Sequence, residues 1–221
     1  MLENFLNIAM TDWLSIFFAI LIVLITIPIF IYSIGYLKEY KREYSVKYIY
    51  LMMIMFILSM FGVVFSSNSI EFMVFWEIMS MASFFLVIYE YKNKESVRSG
   101  IMYFVMTHIS GLVLMIMFAL IYKYTGSFDF NEIIKYSSSF TAFQNHIIFI
   151  LAIIGFGAKV GLLPLHVWLP KAHPAAPSNV SALMSGVMLK IAIYGFIRVV
   201  FMFLGDISHM YGIFIMVIGT V

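Results

Sequence analysis

Long apolar runs separated by short polar links set the pattern of this chain. A helix needs about 20 mostly apolar residues to cross a bilayer. Six runs reach that length: residues 13–37, 48–67, 70–89, 99–122, 147–165 and 180–203. The first two carry no charge. The third holds Glu77, the fourth His108, the fifth Lys159, and the sixth Lys190 and Arg198. A seventh run, residues 211–221, would rise only about 16 Å as a helix, against roughly 30 Å of hydrocarbon. Either the chain is a fragment or it stops part-way through a helix. The pattern predicts an all-α, multi-pass transmembrane bundle in a single membrane domain over residues 1–221, with residues 13–37 as a leading helix and residues 211–221 as the start of a truncated one. Between residues 123 and 145 the stretch "FDFNEIIKYSSSF" is mildly amphipathic and forms either a short surface helix or a polar loop.

Composition supports the membrane reading. Hydrophobic residues make up 63% of the chain and charged residues 11%. Soluble domains run nearer 45–50% apolar and about 25% charged. Cysteine is absent, which excludes disulfides, thiolate-held iron–sulfur clusters and a cysteine nucleophile in this chain. The net charge of +2 is small and scattered, so nucleic acid is not a partner. The start of the chain carries Glu3 and Asp12 and no lysine, unlike the basic leader of a cleaved signal peptide. Lysine and arginine favour one side. Lys38, Lys41, Arg42, Lys47, Lys92, Lys94, Arg98 and Lys171 fall in links on one face, and Lys123, Lys135 and Arg198 lie at or near the other. The positive-inside rule makes the first face cytoplasmic and puts the N-terminus outside.

Three ionisable residues sit where a membrane tolerates few: Glu77, Lys159 and Lys190. Lys190 lies ten residues into its run, about 15 Å deep, and Lys159 twelve, about 18 Å. A lysine stem reaches about 6 Å, so neither ammonium can snorkel to a surface. Each costs about 2.5–3.5 kcal/mol at mid-span. Something must hold them: a structural ion pair between helices, or a transport path. Two lysines in line with a glutamate as movable partner suit protons and suit a metal cation poorly.

Four of the five prolines follow Lys159 within "GFGAKVGLLPLHVWLPKAHPAAPSNV". Pro164 removes a backbone donor and predicts a helix break five residues after Lys159. Broken helices are tolerated in membranes where they line protein or water. Gly155, Gly157 and Gly161 add backbone freedom and permit close helix approach. The bland alternative is an interfacial loop anchored by Trp168. His166 and His173 flank the loop as proton carriers or as hydrogen-bonding groups that fix it; haem or metal ligation would need a second cluster of ligands. His108 is either a relay member or a packing residue. Trp76 and the eighteen methionines read as lipid-facing or packing residues.

At these residues the chain resembles a known family. "FWEIMSMASFFLV", "YFVMTHISG" and "GFGAKVGLLPLHVWLPKAHPAAPSNVSALMSGVMLKIAIYG" are similar to the proton-pumping, antiporter-like membrane subunits of respiratory complex I, multisubunit cation/proton antiporters and group 4 membrane-bound hydrogenases. The wording "HVWLPKAHPAAPSNVSALMSGVM" resembles the hydrogenase-4 and formate hydrogenlyase type in particular. The resemblance implies a helix bundle with two discontinuous helices, built on inverted five-helix repeats. Residues 48–204 would form one such repeat; the second repeat and two leading helices lie outside this sequence. It further implies that Glu77 is the mid-membrane glutamate, Lys159 the lysine of the first discontinuous helix, and Lys190 the lysine passing protons onward. The expected function is proton translocation within a membrane oxidoreductase complex, hydrogenase-4-like or NADH–quinone oxidoreductase-like. This chain would hold no cofactor and do no redox chemistry. Iron–sulfur or nickel–iron centres would reside in partner subunits, with further membrane subunits and a peripheral redox arm as neighbours. The expected location is the plasma or inner membrane. A multisubunit Na⁺/H⁺ antiporter subunit and a non-transporting membrane scaffold are the alternatives.

Overall fold

A computed structural model describes residues 12–204 and 209–220. Six helical spans are long and apolar enough to cross a membrane, and the protein is multi-pass. The chain runs through α1 (Trp13–Tyr36), α2 (Val46–Phe65), α3 (Ser69–Val87), α4 (Lys94–Thr125), the short α5 (Phe130–Tyr136) and α6 (Ala142–Val160). It continues through α7 (Leu169–Ala175), α8 (Ser178–Leu183), α9 (Leu189–Ile197) and α10 (His209–Thr220). Among the described residues there is no strand, only an isolated bridge between Asn68 and Asp129. Residues 205–208 and 221 lie outside the described set, so the final apolar run is seen only as α10.

Local chemistry sets the helix ends. Asp12, Asn68, Asn93 and Asp129 each accept a backbone N–H of the helix they start, at 2.8–2.9 Å. Each thereby satisfies a donor that has no partner within its helix. Thr141 and Gln144 close a reciprocal capping box on α6. The amphipathic link does form a helix, α5, because Phe130 and Ile133 turn inward and are fully buried. Gly126 ends α4 in the left-handed conformation.

The helix break differs from expectation in its cause. Helix α6 ends at Val160, and Gly161, at φ +88°, turns the chain before Pro164 is reached. An L side chain there would be strained, and a Cβ would also press on Leu169. A 3₁₀ turn, Leu165–Trp168, then leads into α7. Two discontinuous helices are implied by the resemblance. The described residues show one outright break, in the span Ala142–Ala175. The next span, Ser178–Phe203, stays helical but contains two π turns, Met184–Met188 and Arg198–Phe203.

Two polar faces cap the bundle. On the basic face Tyr40 Oη donates to Glu90 at 2.8 Å, Tyr36 and Tyr40 share a hydrogen bond at 3.0 Å, and Tyr36 Oη accepts the Ser178 N–H at 3.3 Å. These bonds tie the α1–α2 and α3–α4 links to the start of α8. On the opposite face Arg198 donates to Asp12 at 2.9 Å and to Ser15 Oγ at 2.8 Å, while Tyr194 Oη donates to the Val64 carbonyl at 2.7 Å. Burial pushes the Asp12 carboxyl up, but the Ser15 N–H and the Arg198 guanidinium outweigh it and hold the group below its ordinary range.

Candidate functional site

The site forms around the end of α6, where Lys159 occupies the last turn before Gly161 and is fully buried. Helix α3 faces it with Trp76 and Ser80, four residues apart on one side. Lys159 Nζ donates to Ser80 Oγ at 2.8 Å and lies 3.5 Å from the Tyr103 hydroxyl on α4. The rings of Trp76 and Tyr103 each hold the ammonium 5.6 Å from their centroids, within cation–π range. Ser80 in turn donates to the Trp76 carbonyl. Ser83 shares a 2.6 Å hydrogen bond with Tyr103 Oη.

The break that ends α6 is closed by Trp168. Its indole N–H donates to the Ala158 carbonyl at 2.7 Å, and its ring packs 4.9 Å from that of Tyr103. Trp168 is wholly buried, so it is a plug for a carbonyl freed by the break and not an interfacial anchor. Gly155 is small for a different reason. Ser110 donates to its carbonyl at 2.6 Å, and a Cβ would run into Leu114, so α4 and α6 approach closely there. Gly157 packs under Leu162 in the same way.

Glu77 does not pair directly with Lys159. Its Oε2 lies 3.5 Å from His108 Nε2, and both side chains are partly exposed on the α3–α4 side of the bundle. The His108 Nδ1 lies 3.0 Å from the Phe104 carbonyl. The spacing explains the separation. Ser80 is one turn along α3 from Glu77, and Lys159 reaches that lower turn, while Glu77 rests on Gly111, where a Cβ would collide with Oε1.

The other expected members are dispersed. Lys190 is partly exposed on α9, and its Nζ donates to the Ser185 carbonyl at 2.6 Å. No hydrogen bond or ion pair joins it to Lys159 among the described residues. His166 lies half-buried in the 3₁₀ turn, and its Nδ1 has no hydrogen-bond partner among the described residues. His173 Nδ1 lies 2.8 Å from Ser181 Oγ, linking α7 to α8. No three His, Asp or Glu side chains among the described residues come together as metal ligands. A cavity of about 700 Å³ opens on the basic face, lined by Glu90, Glu95, Arg98 and Lys171, with Met102 beside Tyr103 at its wall.

The matched segments of known families cover this whole region of the chain. The family described as "NADH:quinone oxidoreductase/Mrp antiporter, TM" matches residues 66–221, well over half of the chain. The chain belongs to this antiporter family. Residues 8–49 also match "NADH-Ubiquinone oxidoreductase (complex I), chain 5 N-terminus". Among relatives of the antiporter family, "Hydrogenase-4 component B" of Escherichia coli (strain K12) is 40% identical over 212 residues, which is 95% of this chain and 31% of that protein. "Putative antiporter subunit mnhA2" of Staphylococcus aureus is 36% identical over 215 residues, 95% of this chain and 26% of that protein. Among solved structures, a chain of the "membrane-bound sulfane sulfur reductase (MBS), an archaeal respiratory membrane complex" superposes with a TM-score of 0.78 at 26% identity, over 93% of this chain and 34% of its own. The chain thus spans about a third or less of the length of these antiporter-family relatives.

Sequence reasoning missed Ser80, Ser83 and Tyr103, and took Trp76 for a lipid-facing or packing residue. A signal was there. Ser96, Gly100, Tyr103, Thr107, Ser110 and Leu114 fall at helical spacing along α4 and are all buried, a small and polar stripe that marks its inward side.

Proposed function

We propose that this chain is part of a proton-translocating membrane subunit of an oxidoreductase complex, hydrogenase-4-like or NADH–quinone oxidoreductase-like. The observation that carries this reading is Lys159: a fully buried ammonium whose partners are hydroxyls and aromatic faces, with no carboxylate in direct contact among the described residues. A lysine fixed by an ion pair keeps its proton. A lysine held by Ser80 and Tyr103 can exchange one, because its charged form is not locked by an opposite charge. Glu77 and His108 form a second proton-carrying pair one turn away. Moving one charge against 100 mV costs about 2.3 kcal/mol, so a modest change in these contacts is enough to gate transfer. Membrane subunits of the same complex would cover the partly exposed Glu77 and Lys190. Redox chemistry would belong to a peripheral arm carrying iron–sulfur or nickel–iron centres, and none to this chain. The complex would lie in the plasma or inner membrane, with the N-terminus outside and the basic face in the cytoplasm. Single-cysteine labelling at position 43 from inside, and not from outside, checks that orientation.

The test is proton uptake by the assembled complex in vesicles, with assembly checked on a native gel. Lys159→Met keeps the side-chain length, so the complex should assemble and transport should fall to background. Glu77→Gln should weaken transport without abolishing assembly. A methionine variant that assembles and pumps at the wild-type rate would make the subunit a scaffold.

A second reading is supported by the 36% identity to "Putative antiporter subunit mnhA2". In that reading the same residues serve Na⁺/H⁺ exchange. Transport that requires sodium and proceeds without an electron donor selects it.

A further inference from the structure

The two lysines lie on opposite sides of one structural irregularity. In the π turn Met184–Met188 the Leu189 N–H reaches back to the Met184 carbonyl, one residue further than in an α-helix. The Ser185 carbonyl thereby loses the donor that an α-helix would give it. Lys190 Nζ occupies that oxygen at 2.6 Å. At the other end of the turn Met188 Sδ accepts from the Tyr103 hydroxyl at 3.3 Å, and the same hydroxyl is the 3.5 Å neighbour of Lys159. Tyr103 has one proton and two acceptors, Met188 Sδ and Ser83 Oγ. A thioether passes no proton onward, so the contact with Met188 cannot be a relay step; it reports where the turn is.

We propose that the π turn Met184–Met188 is the positioning element that couples the surroundings of Lys159 to those of Lys190, with Tyr103 and the Ser185 carbonyl as its two contacts. Closing the turn to an α-helix would supply Ser185 O with a backbone donor and release the Lys190 ammonium. It would also carry Met188 about 100° around the helix, away from Tyr103, since an α-helix turns once per 3.6 residues. The hydroxyl would then settle on Ser83, and its orientation toward Lys159 would change. Tyr103 is a positioning residue in this scheme. The proposal takes the importance of the two lysines from the transport reading above but predicts a coupling that exists without transport.

The experiment is a double-mutant cycle on the assembled complex, reading the apparent unfolding equilibrium of this chain on heating. Tyr103→Phe frees one end of the turn and Lys190→Met the other. Because both relax the same element, the double variant should lose less than the sum of the single losses, by about threefold or more in the equilibrium constant. Met188→Leu should abolish the coupling, and Met188→Gln, which restores an acceptor of similar length, should return it. Deleting Gly186 removes the extra residue and restores regular hydrogen bonding, so the cycle should become additive. An additive cycle in the wild-type background, or a coupling that survives in Met188→Leu or in the Gly186 deletion, overturns the proposal whatever the transport result. Coupling as expected, alongside a Lys159→Met variant that still pumps, keeps the positioning role and removes only the transport reading.

Discussion

Lys159 and Lys190 are the same residue at a similar depth in neighbouring spans, and the protein solves them in opposite ways. Lys159 is enclosed by side chains: Ser80 and Tyr103 through their hydroxyls, Trp76 and Tyr103 through their rings. Lys190 is partly exposed and is held by a backbone carbonyl that a π turn has set free. The first arrangement is written in residues that mutation can remove. The second rests on a main-chain oxygen, which replacing the Ser185 side chain leaves in place. A mid-membrane charge therefore identifies a problem, and the identity of its partners tells which part of the fold has been shaped to answer it.

The largest effect that would break this contrast is at the plug. Trp168→Phe keeps an aromatic ring but leaves the Ala158 carbonyl buried without its donor, which costs about 1–3 kcal/mol, and adds the cost of the cavity left where the larger indole packs on Tyr103. The complex should melt lower, and the enclosure of Lys159 should loosen. A wild-type melting curve would mean that the break does not depend on Trp168. Next comes a matched pair of serines. Ser80→Ala removes the 2.8 Å acceptor of a buried ammonium, where hydrogen bonds to charged groups are worth about 1.5–3 kcal/mol. Ser185→Ala leaves the Lys190 acceptor intact, so stability should stay within about 0.5 kcal/mol. Equal losses at the two positions would erase the distinction between side-chain and backbone support.

Chemical modification sharpens the contrast further. In the detergent-purified chain a small amine reagent should modify Lys190 and spare Lys159, read by peptide mass spectrometry. Modification of both at one rate would contradict the burial of Lys159. The smallest effect belongs to Asp12. Its folded carboxyl titrates below its unfolded range of about 3.9. The stabilisation is thus present above that range and is lost as pH falls through the folded value. Melting temperature should decline in that acid window, and Asp12→Asn should flatten the decline.

Much of this architecture is legible in the sequence, for identifiable reasons. Transmembrane spans announce themselves because about 20 apolar residues in a row have few other uses. Lys159 stands out because its charge interrupts such a run, and Gly161 with the prolines signals that the run is broken. What cannot be read is direction around a helix. In spans that are apolar on every side the hydrophobic pattern carries little angular information, so depth arithmetic along the chain cannot say that Lys190 turns away from Lys159 and stays partly exposed. Tyr103 escaped notice because a tyrosine in an apolar span looks ordinary until its hydroxyl has neighbours. The Glu77–Lys159 contact was inferred from opposite charges. The fold instead gives Glu77 an imidazole and Lys159 a serine, since Glu77 and Ser80 are a turn apart. The π turns leave no mark in composition, because an extra residue in a helix is a matter of register.

The tie between Asp12 and Arg198 also bears on how the protein is made. The two residues are 186 positions apart, so the ribosome releases the carboxylate long before its guanidinium partner exists. Through the synthesis of five spans the start of α1 waits with its cap alone. When the sixth span arrives, Arg198 meets Asp12 and Ser15 together, and Tyr194 reaches the Val64 carbonyl. The sixth of these spans is what fastens the start of α1.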